Sequence, residues 1–322
     1  MGMEKRMMLV FFPGATSFIL YSMLSMRLER KTLARIHSRI GPKHAGPRGI
    51  LQTLYDLLKV LIKQLIIPRR ADKLAYVIVP QLAIVFLGVA LMAMPIRPQG
   101  PFLEIPHSLL FVAAVFTAMP VIFAVAARST MNKYSIMGGA RSIISFVAFE
   151  TAKLVTIASI ARLVGSRDLE AILERQNSHG PLALYLPLAF IVLLIVTLVE
   201  TERPPFDAPE AEPEVAFGLA TEYTSVMLAV RIATGYVTLY ALSSLLSILF
   251  LGGYYGIPIG PIGEKSVRWF ILKLAFVTRL FFVLRGGLAR YRPDQIARYG
   301  RRIAMVLAYI NLLRAGYLVL RR

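Results

Sequence analysis

The sequence of 322 residues contains no cysteine. Iron–sulfur clusters are held mainly by cysteine thiolates, so this chain can bind no ordinary cluster and no thiolate-ligated nickel–iron centre. Its four histidines lie in predicted loops or at the edge of an apolar run, where no two face each other as a haem requires: His37, His44, His107 and His179. We therefore expect no redox cofactor or metal in this chain, and electron transfer must occur in partner subunits.

Apolar residues, by contrast, make up 57% of the chain, and its mean hydropathy is +0.63. Long apolar runs separated by short charged segments are typical of a polytopic membrane protein. We predict an all-α membrane helix bundle in one domain, residues 1–322, with about eight transmembrane helices. The first run lacks a small-residue cleavage site and is interpreted as a retained span. The predicted spans are 7–26, 74–96, 107–127, 141–163, 181–199, 230–251, 267–287 and 302–320.

The distribution of basic residues predicts the orientation, because Lys and Arg concentrate in cytoplasmic loops. With the N-terminus outside, the inner loops hold 22 of the 37 Lys and Arg residues and are 27–73, 128–141, 200–229 and 285–302. The net charge of +19 therefore reflects membrane topology rather than nucleic-acid binding. We expect a multi-pass protein of the cell membrane.

The first inner loop combines a basic segment with an amphipathic one. Residues 27–47 are basic and interrupted by Gly-Pro turns, whereas 48–66 place apolar residues on one helical face. We predict an interfacial amphipathic helix over 48–66. Either it only anchors the loop to lipid, or it borders a docking platform or a substrate entrance. The basic residues predicted to dock partner subunits are Arg30, Lys31, Arg35, Arg39, Lys43 and Arg48.

The acidic loop, residues 200–222, carries seven of the chain's eighteen carboxylates and a single basic residue, Arg203. Its four prolines prevent a regular helix across it. Ionisable groups near lipid usually serve proton or cation movement. Two carboxylates about 4 Å apart repel by roughly 4 kcal/mol, which would keep some of them protonated near neutral pH. The alternative is a solvated acidic loop without such a role.

Ionisable residues also lie inside the predicted spans. Glu150 and Lys153 share one helical face, which predicts an ion pair with either a structural or a transport role. Lys273 is expected in the interior, while groups near the ends of spans, such as Arg231 at the start of the sixth, are expected to extend to the membrane surface. The predicted ion pathway comprises Glu150, Lys153, Glu200, Asp207, Glu210, Glu212, Glu214, Glu222, Arg141, Arg203 and Lys273.

The acidic loop also carries a resemblance to a known family. Its pattern Glu-Thr-x-Arg-x-Pro-Phe-Asp-x-Pro-Glu-Ala-Glu, followed by Thr-Glu-Tyr, resembles the proximal membrane subunit of respiratory complex I and of membrane-bound nickel–iron hydrogenases. Further blocks agree in order, including Arg39-Ile-Gly-Pro-Lys, Asn132-Lys-Tyr-Ser and Tyr291-Arg-Pro-Asp-Gln-Ile. The match extends from about residue 20 to residue 315.

This resemblance implies a subunit that joins a redox arm to antiporter-like membrane subunits in an ion-translocating oxidoreductase. It implies that Glu150, Glu200, Asp207, Glu210, Glu212 and Glu222 line the ion path, with Arg141 and Arg203 setting the charge balance. The nickel–iron and iron–sulfur groups would be bound by peripheral partner subunits. The basic loop and amphipathic helix would pack against those subunits, and in complex I they also frame the quinone entrance.

Departures from the complex I pattern favour the hydrogen-evolving or sulfur-reducing branch. Lys63-Gln64 stands where complex I usually has Lys-Glu, and Ala216-Phe-Gly-Leu-Ala precedes Thr221-Glu-Tyr in place of the usual Gly-Phe/Tyr-His. The alternative is the quinone-site subunit of a complex I-type enzyme that oxidises NAD(P)H, ferredoxin or a deazaflavin. A stand-alone secondary transporter is less favoured because no inverted repeat is visible. The absence of cysteine together with many Arg, Lys and Glu residues suggests a thermophile.

Overall fold

The computed structural model describes residues 15–256 and 263–321, apart from the side chains of Ala15, Glu212 and Pro213. Helices dominate this part of the chain, and its only β-type pairing is an isolated bridge between Tyr255 and Lys265. The helices are α1 Ala15–Ile36, α2 Gln52–Ile62, α3 Lys73–Met92, α4 Ser108–Ser129, α5 Lys133–Val164, α6 Leu169–His179, α7 Leu182–Tyr185, α8 Pro187–Glu200, α9 Glu212–Val215, α10 Ser225–Leu251, α11 Val267–Gly287, α12 Pro293–Tyr299 and α13 Met305–Leu320.

Five segments are long and apolar enough to cross a membrane, which confirms the predicted all-α membrane bundle: α3, α4, α5, α10 and the continuous segment Pro293–Leu320. The remaining predicted spans are occupied by α1, α8 and α11. α8 has 14 residues, about 21 Å of helix, whereas α1 and α11 each carry several charges. The count of eight spans therefore stays a prediction, and residues 7–14 of the first span lie outside the described residues.

Helix α10 forms the centre of the bundle. It is largely apolar, and 89% of its most apolar window is buried inside the protein. Such a helix must be surrounded by other helices, and it packs against α1, α3, α8 and α11. Tyr240 at its middle is almost fully buried, with its ring stacked on Tyr21 at 4.5 Å between centroids and edge-on to Phe18. This packing fixes α1 against α10 and positions the first half of the chain.

The ends of α3, α4 and α10 meet beside the acidic loop, and we call this side of the bundle the acidic end. Asp72 caps α3 by accepting hydrogen bonds from the backbone of Leu74 and Ala75, and its own amide donates to the carbonyl of Ser129 at 2.9 Å. The hydroxyl of Tyr76 donates to the carbonyl of Glu222 at 2.9 Å. These contacts join three loops into one rigid surface.

The amphipathic helix is shorter than the predicted 48–66, because its last turn is capped by another helix. Lys63 is already extended, with φ −65° and ψ 146°. The hydroxyl of Ser225 donates to the carbonyls of Val60 and Lys63, at 3.2 and 2.5 Å, and so satisfies groups that a longer helix would have bonded. Thr224 then exchanges hydrogen bonds with the backbone of Ile66. The position of α2 at the membrane interface stays a prediction.

Candidate functional site

The acidic loop folds into the bundle rather than extending into solvent. Glu200, Glu202 and Asp207 retain only 4, 4 and 5% of their accessible surface. The loop can approach α5 closely because Gly138 has no side chain: a Cβ there would lie 2.8 Å from the carbonyl oxygen of Pro209. The alternative of a solvated acidic loop is therefore wrong for these three carboxylates, and their burial requires partners.

The first group of partners lies within the helices. Lys153 of α5 forms ion pairs with Glu150 at 2.8 Å and with Glu200 at 2.9 Å. The hydroxyl of Thr117 in α4 donates to the other oxygen of Glu150 at 2.5 Å. The pairing of Glu150 with Lys153 follows the spacing noted in the sequence. Because Lys153 is 3% exposed, one buried ammonium is shared by two carboxylates, which leaves one negative charge in excess when all three groups are ionised.

The second group centres on Arg231 in the second turn of α10. Its guanidinium pairs with Glu202 and also with Glu210, the latter at 2.8 Å. Ser142 of α5 donates a further hydrogen bond to Glu202. The expectation that Arg231 extends to the membrane surface is wrong: it is 9% exposed, because two loop carboxylates draw it inward. The ring of Phe123 closes the other side, 4.8 Å from the guanidinium carbon.

Glu210 differs from an ordinary surface carboxyl. Desolvation by the surrounding protein raises the pKa of Glu210, and the nearby carboxylates of Glu202 and Asp207 raise it further. Arg231 and Arg203 act in the opposite direction but do not cancel these effects. Glu210 is therefore more readily protonated than an isolated glutamate, in the direction expected from crowded carboxylates.

The third group involves α1, which sequence reasoning did not connect to the acidic loop. Arg203 donates to Glu29 of α1 at 2.6 Å, and Arg285 of α11 pairs with the other oxygen of Glu29. The ring of Tyr236 lies 4.3 Å from the Arg203 guanidinium carbon. Burial lowers the pKa of Arg203 from its ordinary value. Among the described side chains, the only basic residue of the loop therefore forms its ion pair with a carboxylate of α1 and none with the loop carboxylates.

Asp207 has a separate partner after α11. Arg290 forms an ion pair with one of its oxygens, while the other oxygen, Oδ1, has no hydrogen-bond partner among the described residues. Glu200 Oε2 is likewise buried without such a partner in the described part of the chain. Buried acceptors are nearly always hydrogen-bonded, so each of these oxygens calls for a further donor, such as a proton bound to the carboxylate itself.

We call these ion-paired groups together the acid network. Its six carboxylates meet five cations, so the network carries one net negative charge when every group is ionised. Uncompensated charge inside a protein is unfavourable, and one bound proton would remove it. The carboxylates are Glu29, Glu150, Glu200, Glu202, Asp207 and Glu210, and the cations are Lys153, Arg203, Arg231, Arg285 and Arg290.

The remaining predicted pathway residues lie at the edge of this network or outside it. Arg141 pairs with Glu214 at 2.5 Å at the half-exposed rim, and Glu222 accepts a hydrogen bond from Asn132. Lys273 donates to the carbonyl of Tyr255 at the opposite end of the bundle, far along α11 from Arg285. The side chain of Glu212 lies outside the described residues.

The predicted docking residues divide into two sets. Arg30 pairs with Asp56 of α2 at 2.6 Å, and Lys31 donates to the carbonyl of Arg48 at 2.6 Å, so both hold the loop to its own chain. The other set, which is exposed and open to a partner, comprises Arg35, Arg39, Lys43 and Arg48. Over residues 15–256 and 263–321 no three His, Cys, Asp or Glu side chains converge as a metal site.

Comparison with known proteins assigns the family. Residues 7–316 match the family described as NADH dehydrogenase. The chain belongs to this family. The NADH-quinone oxidoreductase subunit designated H in Syntrophotalea carbinolica is 34% identical over 297 residues, covering 88% of this chain and 87% of the relative. The subunit designated 8 in the Thermus thermophilus enzyme is 34% identical over 280 residues, covering 85% of this chain and 76% of the relative.

A further relative extends the match almost to the full chain. The NADH-quinone oxidoreductase subunit designated H in Dehalococcoides mccartyi is 32% identical over 314 residues, which is 97% of this chain and 87% of the relative. The resemblance to the complex I family is thereby confirmed. The hydrogen-evolving or sulfur-reducing branch finds no support among these relatives, whose names favour the quinone alternative.

Proposed function

We propose that this chain is the proximal membrane subunit of an ion-translocating NADH-quinone oxidoreductase. The names of its relatives support quinone as the electron acceptor. The chain itself contributes no redox group in this proposal, and iron–sulfur clusters belong to peripheral partner subunits. Its own role is to relay charge: when quinone is reduced, a proton or a change in charge moves along the ionisable residues of this chain towards the antiporter-like membrane subunits.

The observation that carries this proposal is the acid network with its single uncompensated negative charge. Two charges about 4 Å apart interact by roughly 4 kcal/mol at an effective dielectric near 20, equivalent to about three pKa units. Protonation of one carboxylate therefore changes the proton affinity of its neighbours strongly. Because the network has one more carboxylate than cations, binding one proton brings its net charge from −1 to zero.

The connectivity of the network supports a path from the acidic loop into the membrane. Asp207 and Glu210 lie in the loop, and Glu210 shares Arg231 with Glu202. Glu202 is two residues from Glu200, which shares Lys153 with Glu150 in the middle of α5. Carboxylates and their cations thus lead from the acidic loop to the membrane helices, with Glu202 and Glu200 linked through the chain itself. We assign these groups the relay of a proton or of a change in charge.

The topology proposed from the sequence puts the acidic end on the cytoplasmic side, where peripheral subunits can dock. The exposed Arg35, Arg39, Lys43 and Arg48 supply cations to that contact. If this assignment holds, the chain tagged in its own host co-purifies with iron–sulfur and antiporter-like subunits. Isolation as a stable, active monomer would contradict it and favour a stand-alone transporter.

The relay is tested in the purified complex reconstituted into vesicles, with quinone reduction and ion uptake measured together. Glu210→Gln keeps the size of the side chain but cannot carry the charge. We expect intact assembly with a lower ratio of ions moved per quinone reduced, or slower turnover. Glu264→Gln, an exposed carboxylate at the opposite end of the bundle, serves as the control. Unchanged coupled activity of Glu210→Gln would remove that residue from the relay.

The electron acceptor is tested separately on the same preparation. If the complex reduces added quinone, and a complex that lacks this chain does not, the quinone assignment is supported. Hydrogen evolution or sulfide formation without quinone reduction would overturn that assignment. It would favour the hydrogen-evolving or sulfur-reducing branch instead. The two experiments fail independently, because the relay can operate with any acceptor in the partner subunits.

A further inference from the structure

An open cavity lies at the acidic end, between the start of α3 and the turn joining α4 to α5. Its volume is about 440 Å³. Basic and polar side chains dominate its lining, and we call it the cationic cavity. The residues that matter for its chemistry are Arg69, Arg70, Met131, Asn132, Lys133 and Glu222.

The three cations of the cavity are not neutralised by the protein. Arg69, Arg70 and Lys133 are exposed, and within the described residues none forms an ion pair. The ammonium of Lys133 lies over the ring of Tyr134, 5.1 Å from its centroid. Glu222 contributes one negative charge, which leaves the cavity with a net charge of about +2. An anion therefore complements the lining better than a cation or a neutral group.

The walls of the cavity are held in place by hydrogen bonds that do not use these cations. Asn132 donates to the Glu222 carboxylate, while the Glu222 carbonyl accepts from Tyr76. The backbone contact between Asp72 and Ser129 joins the two loops on either side. Glu222 is thus tied to the wall, and the cations can turn to a ligand without breaking the fold.

The position of the cavity distinguishes a lipid from a free anion. It lies where α3 and α5, two candidate spans, begin. Exposed apolar side chains stand next to the cations at the same edge: Ile66 is 64% exposed, Leu74 72% and Met131 52%. Apolar side chains at the ends of spans face acyl chains, whereas guanidinium groups bind phosphate oxygens in pairs. The arginines can therefore bind the phosphate headgroup of a phospholipid, and the exposed apolar side chains can contact its acyl chains.

We infer that the cationic cavity binds the phosphate headgroup of an anionic phospholipid, with its acyl chains along the apolar edge of α3. Basic pockets between membrane helices on the cytoplasmic side suit such headgroups. The lipid would bridge the loops that hold Glu222 and would occupy a place outside the acid network. This assignment does not depend on the electron acceptor or on the relay.

The test uses the full chain purified in neutral detergent and titrated with phosphatidylglycerol or phosphatidylcholine, with bound lipid counted by native mass spectrometry. We expect preferential binding of phosphatidylglycerol. The Arg69→Gln/Arg70→Gln variant should weaken that binding about tenfold, since each cation near a membrane surface contributes to the attraction. Arg69→Lys/Arg70→Lys, which keeps the charge, should retain most of it.

A matched control removes two adjacent exposed arginines elsewhere at the acidic end. Arg301→Gln/Arg302→Gln should leave phosphatidylglycerol binding unchanged. Equal binding of phosphatidylcholine, or no effect of the Arg69/Arg70 double substitution, would overturn the inference. Displacement of the lipid by inorganic phosphate at equal concentration would indicate a free-anion site instead. The same Arg69→Gln/Arg70→Gln substitution can also be made in the whole complex. If the purified complex then loses a partner subunit while the chain keeps its lipid, the cavity is a protein-docking surface.

Discussion

At the scale of single residues, Lys153 is the group on which the membrane part of the network depends. It is 3% exposed and pairs with two carboxylates, one on its own helix and one at the end of α8. Removing one partner of a buried ion pair is much more costly than removing both, because the remaining charge stays buried. The lysine is therefore both a structural tie between α5 and α8 and the counter-charge of Glu150 and Glu200.

Lys153→Met should destabilise the chain by about 3–5 kcal/mol, since it leaves two carboxylates without their cation. Adding Glu200→Gln should recover part of this loss, because only Glu150 then lacks a counter-charge and Thr117 still donates to it. Apparent melting temperatures in detergent measure both effects. Lys43→Met, at an exposed lysine, is the control. Additive losses in the double variant would show that the pair is not coupled.

Glu210 yields a prediction about pH, because partial desolvation and neighbouring carboxylates raise its pKa above the ordinary value of 4.5 while 39% of its side chain stays exposed. Between the ordinary pKa of 4.5 in the unfolded chain and the raised pKa of Glu210 in the folded protein, the folded protein holds more protons than the unfolded chain. The free energy of unfolding therefore falls as pH rises through this window. Glu210→Gln removes this dependence. Its melting temperature should decline less steeply above pH 4.5 than that of the parent, with Glu264→Gln following the parent. Parallel curves for all three proteins would refute the prediction.

At the scale of elements, the acidic loop is shaped by two glycines that let its turns pack on α5. Gly218 has a φ of +49°, and a Cβ there would lie 1.8 Å from the carbonyl oxygen of Pro209. Gly138 meets the same carbonyl from α5. The loop is therefore held by close backbone contact as well as by ion pairs, and neither contact tolerates a larger residue.

Gly218→Ala should cost about 3 kcal/mol and open the loop, because the new methyl group overlaps Pro209 and the backbone conformation disfavours any side chain. Amide hydrogen exchange of residues 200–222 should increase accordingly. Gly235→Ala is the matched control: no atom lies within 4 Å of the added Cβ in α10, and alanine suits a helix interior better. Unchanged exchange in Gly218→Ala would mean that the loop does not rely on this contact.

How far the sequence predicts these elements depends on the separation of the interacting residues. Glu150 and Lys153 lie three positions apart on one helix, so their pairing is predictable from helical spacing. Glu29 and Arg203 are 174 positions apart, and Arg290 reaches Asp207 across 83. Those pairs exist only once the helices are packed. The early end of α2 has the same origin, since Ser225 belongs to a distant part of the chain.

At the scale of the whole molecule, charge is distributed unevenly between the two ends of the bundle. The acid network extends inward from the acidic end, and the exposed arginines of the first loop and the cationic cavity lie at that end. The far end carries α6, residues 252–256 and the contact between Lys273 and Tyr255. A relay needs such asymmetry, because the redox partner must bind on one side while ions cross to the other.

The orientation of this asymmetry can be measured directly, because the cysteine-free chain accepts single cysteines as unique labels. Lys43→Cys is exposed near the acidic end and Glu264→Cys is exposed at the far end. In intact cells expressing the chain alone, a membrane-impermeant maleimide should label Glu264→Cys at once and Lys43→Cys only after permeabilisation. Labelling in denaturant verifies both thiols, and the parent chain should remain unlabelled. The reverse pattern would put the acidic end outside, where peripheral subunits of the cytoplasm cannot reach it, and the proposed path from redox partner to membrane would lose its starting point.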